Sequence, residues 1–176
     1  DFNADGFADL FVTNDRVFNQ LFLNREGKRF DEVAFDWGVA VPGDGNPTSS
    51  MGTDAQDFDG DGRVDLVYSA LRDETFPVFR NTGAAFVEAT AATRMNVLTR
   101  MMAGWGIVFA DLDNDGRLDI AAARSDALSA TGGRGDSAAE PPSWFRNAGG
   151  KFVLGSGWDE LPRAMWRGVA AADLNN

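Results

Sequence analysis

The chain has 176 residues, 44% of them apolar with 14 Phe and 5 Trp, a composition that supports a packed fold and excludes a disordered segment. Its formal charge of −11, from 27 acidic and 16 basic residues, argues against nucleic acid as a partner, because that affinity needs clustered Lys and Arg. Cys and His are both absent, which removes zinc sites with thiolate or imidazole ligands, thiol nucleophiles and His-based triads.

No apolar run approaches the ~20 residues of a membrane span, so none is expected here. A signal peptide is not visible either. The chain opens at Asp1 inside an acidic loop and stops at Asn176 inside another, which predicts a fragment of a longer protein.

In chain order the sequence repeats itself. An acidic nonapeptide stands at 1–9 (DFNADGFAD), 57–65 (DFDGDGRVD) and 111–119 (DLDNDGRLD), and begins again at 173 (DLNN). The starts are 56, 54 and 62 residues apart. After each loop comes an apolar run with strand character, at 10–13, 66–70 and 120–123. An aromatic run ending in Asn follows: Leu21-Phe22-Leu23-Asn24, Val78-Phe79-Arg80-Asn81 and Trp144-Phe145-Arg146-Asn147. A glycine turn then leads to a run carrying Phe30, Phe86 or Phe152, the signature of a hairpin. Small and apolar residues at 51–56, 104–110 and 168–172 precede the next loop.

Each unit therefore holds four short strands, and repetition at this length predicts an all-β propeller fragment of about three four-stranded antiparallel blades. The small residues suit the innermost strand, which is crowded by its counterparts. The six phenylalanines of the third and fourth strands are expected to pack between neighbouring blades. The whole of 1–176 is read as one partial propeller. Two stretches interrupt it: 42–50, a surface loop by composition, and a long insert at 125–142. That insert carries Arg134-Gly135-Asp136, a cell-attachment triplet that three residues can also make by chance.

The acidic loops carry the chemistry. At about 5 Å separation and an effective dielectric of ~20, two carboxylates repel by about 3 kcal/mol, so a compact loop holding four requires a bound positive charge. Hard oxygen donors select Ca²⁺ over zinc or copper. In the third loop Asp111, Asp113, Asp115 and Asp119 can offer side-chain oxygens and Arg117 its backbone carbonyl, while Gly116 permits the sharp turn. An EF-hand is excluded, since its twelfth position needs a carboxylate and here holds Val12, Tyr68 and Ala122. Three bound Ca²⁺ would bring the formal charge from −11 to −5, ordinary for a soluble protein.

The pattern D-x-[DN]-x-D-G-x-x-D-[LI], preceded by a glycine-bearing strand (Met51-Gly52, Gly104-Trp105-Gly106) and followed by the x-F-x-N hairpin, resembles the FG-GAP and VCBS repeats of integrin-α-like β-propellers. More narrowly, Asp36-Trp37-Gly38-Val39-Ala40 and Trp105-Gly106-Ile107-Val108-Phe109-Ala110-Asp111 are similar to the cartilage acidic protein family and its bacterial relatives. The resemblance implies a secreted, periplasmic or surface-exposed propeller with Ca²⁺ held between the first and second strands of each blade. Carried over by position, the ligands are Asp1, Asn3, Asp5, the Phe7 carbonyl and Asp9; Asp57, Asp59, Asp61, the Arg63 carbonyl and Asp65; and the third-loop set. Asp173 and Asn175 would begin a truncated fourth site.

The function expected is an interaction or adhesion scaffold with Ca²⁺ as a structural staple, its partner an unknown protein or glycan beside the remaining blades of the parent propeller. Two alternatives belong to other classes. A carbohydrate-binding module would use Trp37, Trp105, Trp144, Trp158 and Trp166 as stacking platforms, although Trp37, Trp105 and Trp166 are expected at the blade ends, near the start of the innermost strand. A polysaccharide-cleaving propeller would need acids outside the loops, such as Asp54, Asp73, Glu74, Asp159 or Glu160, to pair as acid and base. No recognisable catalytic motif surrounds them, and no enzyme is expected.

Overall fold

A computed structural model describes residues 1–126 and 139–172. Among the described residues, eleven short strands make three antiparallel sheets. The first holds β1 (Leu10–Val12), β2 (Gln20–Arg25) and β3 (Arg29–Glu32). The second holds β4 (Thr53–Gln56), β5 (Asp65–Tyr68), β6 (Val78–Asn81) and β7 (Phe86–Glu88), joined in chain order. The third repeats that order with β8 (Gly104–Ala110), β9 (Asp119–Arg124), β10 (Ser143–Asn147) and β11 (Phe152–Leu154). Sequential antiparallel meanders of this size, set side by side, are blades of a β-propeller.

The cores lie between the sheets. One joins Leu21, Leu23 and Val39 of the first unit to Leu66, Tyr68, Phe79 and Phe86 of the second. The other joins Val67, Val78 and Phe58 of the second to Ile120, Phe145 and Phe152 of the third. Strand alternation produces this arrangement: in β5, Leu66 and Tyr68 face the preceding blade and Val67 the following one, so all four residues of the strand are buried. Each blade is thus apolar on two faces and depends on its neighbours to cover them.

The inner strands run close together. The Gly52 N–H donates to the Trp105 carbonyl at 2.6 Å, and a β-carbon on Gly52 would stand 2.3 Å from that oxygen. On Gly106 it would meet Val169 N at 2.8 Å. The small residues of the inner strands are therefore required by backbone proximity.

Four sequence expectations need correction. Phe30 is 48% exposed and Phe22 only half-buried, because no other blade lies against that face among the described residues; Phe79, Phe86, Phe145 and Phe152 are buried as expected. The stretch 42–50 is not wholly a surface loop, since Thr48, Ser49 and Ser50 are buried: Ser49 bridges to Asp15, and its N–H donates to Glu74 at 3.0 Å. Residues 168–172 form no strand; only Gly168 and Val169 come close to Gly106 of β8, and no second strand of their own unit is present to pair with them among the described residues. Trp37 is not near an inner strand. It sits in the turn after β3, its ring 5.9 Å from Phe86 in the inter-blade core.

A short helix, α1 (Met95–Thr99), links the second and third sheets, and Met95 and Thr99 are buried. No helix among the described residues is long and apolar enough to cross a membrane.

Candidate metal centre

The second and third acidic loops connect the first and second strands of their blades, β4 to β5 and β8 to β9. The first leads into β1, the counterpart of β5 and β9. All three fold by the same device: the aspartate at position 1 captures backbone N–H groups of positions 5 and 6. Asp1 accepts from Asp5 at 3.1 Å and Gly6 at 2.8 Å. Asp57 accepts from Asp61 at 3.1 Å and Gly62 at 2.8 Å, and Asp111 from Asp115 at 3.1 Å and Gly116 at 2.9 Å. Gly6, Gly62 and Gly116 take φ of 90°, 86° and 85°, which a residue without a β-carbon reaches at little cost.

This winding turns the carboxylates at positions 1, 3 and 5 toward one another. Asp57, Asp59 and Asp61 each place an oxygen within 4.8 Å of the others, and so do Asp111, Asp113 and Asp115. Oxygens that bind one Ca²⁺ at ~2.3–2.6 Å stand no more than about 5 Å apart, so both triplets have the span and the hard-donor chemistry of a calcium shell. In the first loop Asn3 takes the place of one carboxylate, and its Nδ2 donates to Asp5 Oδ2 at 2.9 Å. The amide N–H of Phe7, then the Asn3 side chain, hold the Asp5 carboxyl below the usual carboxylate range.

The aspartate at position 9 has a different setting. Asp65 and Asp119 are fully buried and bind backbone with both oxygens. Asp65 accepts from Phe58 N at 3.3 Å and Asn81 N at 2.8 Å; Asp119 accepts from Leu112 N at 3.1 Å and Asn147 N at 2.7 Å. Asp9 repeats this with Phe2 and Asn24. A carboxylate has about four lone-pair sites, so two N–H bonds leave room for a cation. Burial above all, then the charges of Asp59 and Asp61, push the Asp65 carboxyl up to about 7 against the pull of its two N–H donors. Burial raises Asp119 in the same way. A divalent cation is the partner that would relieve such crowding.

Two contributions escape a reading of the sequence. The asparagines ending the third strands of the second and third blades are junctions: Asn81 Nδ2 donates to the carbonyl of Val64 in its own loop and of Phe2 in the preceding blade's loop, at 3.1 and 2.8 Å. Asn147 does the same to Leu118 and Phe58, at 3.1 and 2.9 Å. Recurrence of Asn at this place was the available signal. The position-7 arginines matter through their side chains as well as their carbonyls. Arg63 pairs with Asp61 and donates Nε to the Asn81 carbonyl at 2.7 Å, and Arg117 pairs with Asp115 and donates to the Asn147 carbonyl at 2.9 Å. Beside the second loop, Arg80 lies 3.0 Å from Asp59 and lines a cleft of about 370 Å³ between the second and third blades.

The remaining candidates are scattered. Asp173, Asn175 and the triplet at 134–136 lie outside the described residues. Asp54 accepts from Phe109 N at 2.8 Å, and Glu74 from Ser49 and Leu71, so both brace the backbone. Asp73, Asp159 and Glu160 are exposed. Arg167 covers the Trp105 ring at 3.5 Å, and Trp144 packs 6.4 Å from Trp158.

Compared with known families, the chain matches an FG-GAP-like repeat over residues 1–68 and again over 57–122. No curated protein matches the chain.

Proposed function

Because the chain belongs to the FG-GAP-like repeat family, we propose that it is a calcium-stapled propeller segment serving as an interaction or adhesion scaffold, without catalysis of its own. Its setting is extracellular, periplasmic or on the cell surface, and its own partners include further blades of the same propeller. Kinship with cartilage acidic protein and its bacterial relatives is part of this reading and rests on residues 36–40 and 105–111.

One observation carries the proposal: equivalent carboxylate triplets, at 57–61 and 111–115, each gathered within 4.8 Å at the same junction of a blade. A reactive centre has no reason to recur identically in successive blades, whereas a staple does. The ligands are Asp1, Asn3, Asp5, Phe7 carbonyl and Asp9; Asp57, Asp59, Asp61, Arg63 carbonyl and Asp65; Asp111, Asp113, Asp115, Arg117 carbonyl and Asp119. Cation binding lets Asp65 and Asp119 remain ionised while buried, and ties the start of the second strand to the end of the third.

Thermal unfolding with and without a calcium chelator tests the reading. Saturation at 100 times Kd contributes about 2.7 kcal/mol per site, so three sites shift the midpoint on the order of 10 °C or more. Calorimetric titration should return three Ca²⁺ per chain. An unchanged midpoint in metal-free protein would sink the stapling role.

A further inference from the structure

We propose that positions 3 and 7 of each loop form a charge-matched pair that sets how far the loop's order depends on metal: Asp with Arg at 57–65 and 111–119, Asn with Phe at 1–9. The calcium-affinity part of this inference rests on the function proposed above. The bracing part does not.

The position-5 aspartate is the point of comparison. In every loop its Oδ1 accepts the N–H of position 7, from Phe7 at 3.0 Å, Arg63 at 2.9 Å and Arg117 at 3.0 Å. Its Oδ2 is held in two ways. Asp61 and Asp115 are held by the guanidinium of the arginine two residues on, whereas Asp5 is held by the neutral amide of Asn3.

The substitutions at the two positions offset each other. Asp at position 3 adds a negative charge and Arg at position 7 removes one, so the nonapeptides all carry a side-chain charge of −3; the two match in charge without touching, Arg63 lying on Asp61 and Asp59 facing Arg80 from β6, a cation common to all the variants below. Either change alone would give −4 or −2. Arginine supplies one thing that Phe7 cannot, a second bond from Nε to the carbonyl of the third-strand asparagine. That tether spans 18 residues in the second loop and 30 in the third, and fixes the loop to its blade with no metal present. The first loop keeps its aspartate aimed but has no such tether, so metal supplies more of its order. Because Arg63 and Arg117 are 43% and 45% exposed, solvent screens these pairs and the effects are modest.

The test is a set of variants in the intact protein, read by hydrogen exchange of residues 57–65 after chelation and by calcium affinity, with the loop at 111–119 as internal control. Arg63→Phe should speed exchange about fivefold in metal-free protein and, by leaving the loop at −4, tighten calcium binding about fivefold. Asp59→Asn should weaken binding by a similar factor, and the double variant should return within about twofold of the parent. Arg63→Lys keeps the charge but loses the fork, so exchange should rise while affinity holds. Single variants that shift affinity in the same direction would overturn the charge matching. Exchange unchanged by Arg63→Phe would overturn the tether. Failure of the parent protein to take up calcium would overturn the affinity part together with the calcium reading, and the metal-free exchange would still decide the tether.

Discussion

The outer face of the first sheet and the matching faces of the second and third are built from the same residue types, yet only two of the three are buried. Leu10, Leu66 and Ile120 occupy one repeat position, and their exposures are 52%, 0% and 0%. Phe30, Phe86 and Phe152 occupy another, at 48%, 5% and 0%. The covered faces are each sealed by the blade before them, and the first face has no blade against it among the described residues. Burial in a repeat architecture is thus a property of the interface between units, and the same side chain can be core in one repeat and surface in the next.

Truncating the two ends of this comparison should give the largest contrast. Phe152→Ala removes a fully buried ring and should cost about 3–5 kcal/mol in denaturant unfolding, while Phe30→Ala should cost less than about 1 kcal/mol. Equal losses would show that something covers the first face after all. The inner edge offers a second, smaller contrast. Gly52→Ala drives a β-carbon into the Trp105 carbonyl and should cost about 1–3 kcal/mol, whereas Gly168, with nothing within 4 Å of its β-carbon position, should accept alanine within about 0.5 kcal/mol. Thermal midpoints of the two variants would separate them.

The blade pattern was legible because it is carried by local signals: carboxylates at alternate positions, a glycine at position 6 and an asparagine closing the third strand. What escaped the sequence depends on residues far away in the chain. Thr48 to Ser50 read as a polar loop, yet Ser49 is buried through contacts with Asp15 and Glu74. The helix at Met95–Thr99 is one turn long, too short to show a period. Phe30 carried the pattern of a core residue, and it is surface because no blade lies against it among the described residues. In the second and third loops, alternate spacing was enough to suggest that the carboxylates of positions 1, 3 and 5 gather, but not that Arg63 and Arg117 reach across to the third strand, since that contact needs the register of β6 and β10.

The finest contrast lies at position 4 of the loops, where all three chains of backbone take a left-handed turn. Gly60 has φ of 79°, Asn114 of 57° and Ala4 of 57°. Glycine meets this at no steric cost and asparagine tolerates it, but alanine bears a β-carbon clash worth about 1–2 kcal/mol. The first unit is therefore the strained copy in its loop as well as the uncovered copy on its face. Gly60→Ala should destabilise by about 1 kcal/mol, because nothing within 4 Å of the new β-carbon adds to the backbone penalty. The reciprocal change Ala4→Gly relieves the clash but frees the unfolded chain, which returns about 0.5–1 kcal/mol of the gain. A net stabilisation of about 0.5 kcal/mol in matched urea titrations would place the strain in the first loop, and a loss of stability on Ala4→Gly would show that the left-handed turn there is not strained.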